Sequence, residues 1–184
     1  WYSGQPLVLT KTYAVPLMTY VELKFILCEY NGYDAADYKE GVEASIKYWY
    51  GLAGESISDE DIQTYVNAVS QNVNAETCAI QKYIDLYTNG TEAWTEIRRT
   101  GYPDQLLRPG EITAVYKGNK VKFTTLSDTK DLIIPRVKYP TNESSLNGTN
   151  WNEAVSKLQD GTNNYYSKMF WDVRTSPYEH PANK

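Results

Sequence analysis

Two arginines, a threonine and a glycine stand together at the end of EAWTEIRRTGYPD, residues 92–104. Paired guanidinium groups beside a hydroxyl can hold an anion, and they can equally complete a helix. Arg98 and Arg99 fall in the last turn of a predicted helix, where cations oppose the negative end of the macrodipole. Gly101 can adopt the left-handed conformation that closes a helix, and Pro103 prevents its resumption. The chemistry of this motif is that of a helix terminus. Acid–base chemistry has less to work with. The 23 Asp and Glu residues are numerous enough for a glycosidase pair, yet most lie at predicted helix N-termini or on solvated faces, and no pair stands out. His180 is the single histidine and sits in a proline-flanked tail. No HExxH, calcium-loop or cysteine-cluster pattern provides a metal site, and neither a phosphate-cradling glycine loop nor a G-x-S-x-G elbow occurs. Sequence therefore predicts no cofactor, no metal and no catalytic residue.

Tyrosine supplies 17 of the 184 residues and tryptophan 5, against 3 phenylalanines. A phenol offers an apolar face and a hydroxyl, which suits a half-wet surface, including one that stacks on sugar rings. The net charge of -5 and a pI near 5.0 argue against nucleic acid, because no basic stripe can displace phosphate counterions. No apolar run reaches the roughly 18 residues of a spanning helix, in keeping with a mean hydropathy of -0.57. Cys28 and Cys78 lie on predicted helices among apolar neighbours, where a thiol behaves as a small hydrophobe. A disulfide between them is left open, since two cysteines define no framework.

The elements that position these residues are mostly helical. A first helix from Pro16 to about Tyr30 is apolar on more than one face and is expected to be largely buried. Asp34 caps a second with Asp37 as its partner, and Tyr38, Val42, Ser45, Ile46 and Trp49 follow at helical spacing. Ser58, followed by three carboxylates, opens a third with Ile62, Tyr65, Val66 and Val69 inward. Asn74 opens a fourth with Ile80, Tyr83, Ile84, Tyr87, Trp94 and Ile97 on one face, and Asn89-Gly90 predicts a kink or a break. Short polar turns make neighbouring helices antiparallel. After Pro103, alternation at Ile112, Ala114, Tyr116 and at Val121, Phe123, Thr125 predicts one hairpin with Gly118-Asn119 as its turn. Asn150-Trp151-Asn152-Glu153 reads as a capping box for a short helix to about Leu158. The expected fold is mainly α: antiparallel helix pairs over 16–102, then a loop-rich region with one short β-hairpin over 103–184, together a single unit.

Two stretches in order, IQKYIDLYTNGTEAWTEIRRTGYP (80–103) and IPRVKYPTNESSLN (134–147), resemble the C-terminal region of the SusD/RagB-like outer-membrane lipoproteins of Bacteroidetes. TYVELKFILCEYNGY followed by GVEASIKYW looks like that family's paired helices, and KMFWD is similar to its tail. One departure is Tyr83, where the family pattern has tryptophan. The resemblance implies tetratricopeptide-like helix pairs and a non-catalytic surface protein that binds glycan or another nutrient with a TonB-dependent, SusC-like transporter. It also implies that this chain, opening on Trp1 without an initiator methionine, is the C-terminal part of a longer lipoprotein. The lipid anchor and signal peptide would lie outside it. In this frame Trp94, Arg98, Arg99, Gly101 and Pro103 are architectural, and Pro135, Arg136, Pro140 and Glu143 form a second structural motif. Sequons at Asn89, Asn142 and Asn147 carry no weight in a bacterial chain. A competing reading is a helical protein-interaction scaffold without its own ligand site. Ligand contact is expected from aromatics left over by the helix stripes: Tyr165 and Tyr166, which follow Asn163 and Asn164 in a loop, combine ring and amide.

Overall fold

The computed structural model describes residues 14–104, 106–107, 110–124 and 133–169. His180, the leading aromatics Trp1 and Tyr2, Thr125 of the expected hairpin and most of KMFWD lie outside the described residues. The chain divides into two compact units, residues 1–94 and 95–184.

In the first unit α1 (Tyr20–Tyr30), α2 (Ala35–Ala53), α3 (Asp59–Val69) and α4 (Ala75–Asp85) pack pairwise, α1 on α2 and α4, and α3 on α2. Each start has a side-chain reason. Thr19, Asp34, Ser58 and Asn74 accept hydrogen bonds from backbone N–H groups of the first turn, satisfying donors that have no helical partner. Asp34 and Ser58 cap as the sequence indicates, although Asp37 turns to Lys24 Nζ (3.0 Å) and Asn31 rather than back to the cap. The first helix starts at Tyr20, not Pro16, because Thr19 provides the cap. It is also buried on one face only: Val21, Phe25 and Cys28 point inward, while Tyr20, Leu23, Ile26 and Tyr30 are exposed. The core joins those three residues to Tyr38, Val42, Ile62, Val66 and Cys78.

The fourth segment differs most from its expected stripe. Cys78, Ala79, Lys82 and Asp85 are its buried residues, whereas Ile84 and Tyr87 are exposed. The face is turned because Asp85 receives donors from α2 and from Thr19: Ser45 Oγ at 2.8 Å, Trp49 Nε1 at 3.3 Å and Thr19 Oγ1 at 3.5 Å. A tight 3-10 turn, Leu86–Thr88, then breaks the helix before α5 (Gly90–Thr100), as Asn89-Gly90 suggested. Trp94 is half-buried, and the buried positions of α5 are Ala93, Glu96 and Ile97. Tyr65 on α3 is likewise exposed. Tyrosine periodicity thus overstated the stripes, since a phenol edge is content in water.

The second unit begins within α5 and adds, among the described residues, one antiparallel hairpin, β1 (Ile112–Tyr116) with β2 (Asn119–Lys122), and two short helices, α6 (Glu143–Leu146) and α7 (Gly148–Ser156). Tyr116 pairs with Asn119, so the turn is Lys117-Gly118, one residue earlier than expected. Both turn residues have positive φ, 49° and 77°, the combination that matches strand twist in two-residue hairpins. The expected capping box at Asn150 is displaced, since Asn150 lies inside α7, which begins at Gly148. A true capping box forms instead at Asn74, with Thr77 returning the bond. Among the described residues no helix is long and apolar enough to cross a membrane.

Candidate functional site

The opening motif resolves into a closed helix end. Gly101 has φ +78° and donates its N–H to the Ile97 carbonyl at 2.8 Å. Thr100 Oγ1 donates to the Glu96 carbonyl at 2.8 Å and accepts the Tyr102 N–H at 3.1 Å. Arg99 folds back on Glu96, which is 5% exposed, with Nη2 to Oε2 at 2.8 Å and Nε to Oε1 at 3.2 Å. Pro103, whose preceding peptide bond is cis, is buried. These groups hold one another.

A denser polar cluster lies between residues 136 and 167. Arg136 is 4% exposed and donates Nη1 to the Asn164 carbonyl at 2.6 Å. Its two terminal nitrogens each approach Asn163 Oδ1 at 3.3 Å, and its guanidinium carbon lies 4.8 Å from the centroid of the Tyr139 ring. Asn163 also takes hold of Tyr139 through the backbone, accepting its N–H at 2.9 Å and donating Nδ2 to its carbonyl at 3.1 Å. Asn164 builds the adjoining turn: Oδ1 accepts the N–H groups of Tyr166 and Ser167, and Nδ2 donates to Asp160 Oδ2 at 2.6 Å. Burial pushes the Asp160 carboxyl up, but donors from Ser167, Asn164 and Thr162 outweigh it and hold it at about 2.

The residues expected to touch ligand therefore divide by role. The amides of Asn163 and Asn164 are occupied by protein partners, while the rings of Tyr165 and Tyr166 are half-exposed. Lys138 Nζ stands 4.4 Å from the Tyr165 ring centroid. Of the second motif, Pro135 is buried with Arg136, Pro140 is exposed, and Glu143 opens α6, its N–H bonded to the Pro140 carbonyl at 3.2 Å.

Beside this cluster an open cleft of about 500 Å³ is lined by Tyr139, Asn150, Glu153, Lys157, Leu158 and Met169 among others. Asn150, Glu153 and Lys157 stand at helical spacing on α7 and the turn that ends it. Lys157 Nζ lies 2.6 Å from Glu153, and this ammonium holds the Glu153 carboxyl below the usual carboxylate range. Sequence reading used Asn150 and Glu153 as a cap and did not single out Tyr139. Their helical spacing was the available signal, but nothing local joins them to residue 139. An aromatic ring, an amide, paired charges and apolar side chains are groups that recognise a polyhydroxylated ring, and the volume falls in the range of small-molecule sites. In the first unit, the recess beside Asp85 and Trp49 measures about 20 Å³, room for a water but not a sugar.

The described residues thus form a mainly helical scaffold and, in the second unit, an open cleft. Residues 3–140 match the SusD-like family described as "Starch-binding associating with outer membrane", and the chain belongs to that family. A solved "chitin-binding protein" is 32% identical, with a TM-score of 0.64, over 85% of this chain and 33% of its own length. A second structure, "Bacteroidetes AC2a SusD-like", shares the fold at 22% identity and a TM-score of 0.59, over 86% of this chain and 30% of that one. The chain thus spans about a third of the length of each of these two structures. No curated protein matches it.

Proposed function

We propose that this chain is part of a non-catalytic outer-membrane surface protein that binds glycan and works with a TonB-dependent, SusC-like transporter. Family membership and the chitin-binding name of the 32% identical structure support the ligand class. The observation that carries the reading is Tyr139, a cleft-lining aromatic braced by Arg136 and clamped through its backbone by Asn163. A platform fixed before ligand arrives loses little entropy on binding. Tyr165 and Tyr166 supply further ring contacts, with Asn163 and Asn164 as the scaffold beneath them.

The test is calorimetric titration of the full-length protein with chitin and starch oligosaccharides. Tyr139→Ala and Tyr165→Ala/Tyr166→Ala are compared with wild type at matched thermal stability. An affinity loss of about ten-fold or more in either variant supports a site here. Wild-type affinity in both excludes these rings as the site. The exposed row Tyr20, Leu23, Ile26 and Tyr30 along α1 favours a second reading, an interaction scaffold. That reading stands if no glycan titrates.

A further inference from the structure

The two cysteines come from different helices and meet in one core. Cys28 on α1 is 0% exposed and Cys78 on α4 is 3% exposed. The Cys78 thiol donates to the Phe25 carbonyl at 3.6 Å. A helical side chain lies over the turn N-terminal to its own Cα, so the Cys28 side chain covers the turn that begins at Phe25. The Cys78 sulfur is therefore placed against it, and both cysteines belong to the same buried cluster. Phe25, Tyr38 and Val66 share this core. Both thiols are free in the structure.

We propose that Cys28 and Cys78 form a disulfide that staples α1 to α4 when the chain folds in the presence of a disulfide oxidant. The thiolate of one cysteine attacks a sulfur of an external small-molecule or protein disulfide, forming a mixed disulfide and releasing one thiol. The second cysteine's thiolate then attacks the protein sulfur of that bond and releases the other thiol. Two electrons and two protons leave the pair, and the oxidant ends as two thiols. Timing follows from burial. Desolvation raises both thiols above their ordinary value, which starves the folded protein of thiolate, and the closed core denies an oxidant access. The bond must form while α1 and α4 are docking, before the core shuts. It closes a long loop, the arrangement in which a cross-link restricts the unfolded chain most. This inference does not depend on the glycan reading.

The experiment refolds the reduced chain in a glutathione redox buffer and, in parallel, in excess reductant. Thiols are counted in denaturant, and unreduced peptides are mapped by mass spectrometry. The expected result is an intramolecular Cys28–Cys78 peptide with two hydrogens lost, and a higher melting temperature that falls to the reduced value on adding reductant. Cys28→Ala/Cys78→Ala should melt alike under both conditions. Folded, reduced protein placed in the same buffer should keep both thiols over the period in which the refolding chain loses them. Two free thiols after oxidative refolding, glutathione adducts, or an intermolecular cross-link in place of the internal one would overturn the pairing. Oxidation of the folded protein as fast as the refolding chain would overturn the folding-coupled route.

Discussion

Gly41 on α2 faces the ring of Phe25 on α1 so closely that a Cβ at position 41 would stand 3.1 Å from both Cε1 and Cζ of that ring. Phe25 is 1% exposed and meets Tyr38 edge-on at 6.1 Å between centroids, so it has little room to retreat. Alanine would gain about 1 kcal/mol of helix propensity, but overpacking a full core costs about 1–3 kcal/mol. Gly41→Ala is expected to lower the melting temperature and Gly41→Leu to lower it further. Gly51, in the same helix, has open space around its Cβ direction. Gly51→Ala should therefore stabilise by up to about 1 kcal/mol. Thermal melts that rank the two alanine variants the other way would refute the packing argument.

Asp85 is a carboxyl that the fold partly desolvates. Burial raises its pKa above the ordinary 3.8, with donors from Ser45, Trp49 and Thr19 working against that rise. Glu22, which itself feels Lys82 and Glu92, is a charged group that interacts with Asp85. A folded pKa above the unfolded one means that the native state binds more protons between the two values, so this group's contribution falls as pH rises through that window. Asp85→Asn keeps an acceptor for Ser45 and Trp49 without the charge. It is expected to match or exceed wild-type stability at pH 7, and the difference should shrink as pH approaches about 4. Asp85→Ala leaves those donors unpartnered and should cost about 1–3 kcal/mol. A less stable Asp85→Asn at pH 7 would show that the ionised form is preferred.

Asp160 behaves in the opposite sense. Its folded pKa, about 2, lies below the ordinary 3.8, so its stabilising contribution is complete above the unfolded value and is lost as pH falls through about 2. Wild type should lose protection of the amides of residues 160–167 over that acid window, as read by hydrogen exchange. Asp160→Asn should already lack part of that protection at pH 7 and change less on acidification. Parallel pH profiles for the two proteins would refute this role.

The helices were legible because capping and periodicity are local. Ser58 before three carboxylates and Asp34 before its helix announce themselves in four residues, and both cap as expected. The Asn89-Gly90 break is equally local. Facing direction was less legible where side chains are amphipathic. Tyr20, Tyr65 and Tyr87 satisfy helical spacing yet lie outward, and α4 turns Lys82 and Asp85 inward because their partners come from other helices. The cleft was least legible. Tyr139 and α7 are brought together by tertiary packing, and the Asn163 bonds that fix Tyr139 span a sequence separation of 24 residues. No periodicity encodes such a pairing.

That clamp gives the last expectation. Asn163 presents an acceptor to the Tyr139 N–H and to Arg136, and a donor to the Tyr139 carbonyl. Asn163→Ala removes all of these at once, leaving the buried Arg136 and a half-buried backbone pair short of partners. A destabilisation of about 1–3 kcal/mol is expected, read by chemical denaturation. Asn163→Asp separates the contributions. It keeps an acceptor for the Tyr139 N–H and strengthens the bond to Arg136 through charge, but sets an oxygen against the Tyr139 carbonyl. Aspartate should therefore fall between asparagine and alanine in stability. If Tyr139 is the glycan platform, affinity should follow the same order even where both variants remain fully folded. An Asn163→Ala protein with wild-type stability would show that the clamp does not hold the cleft wall.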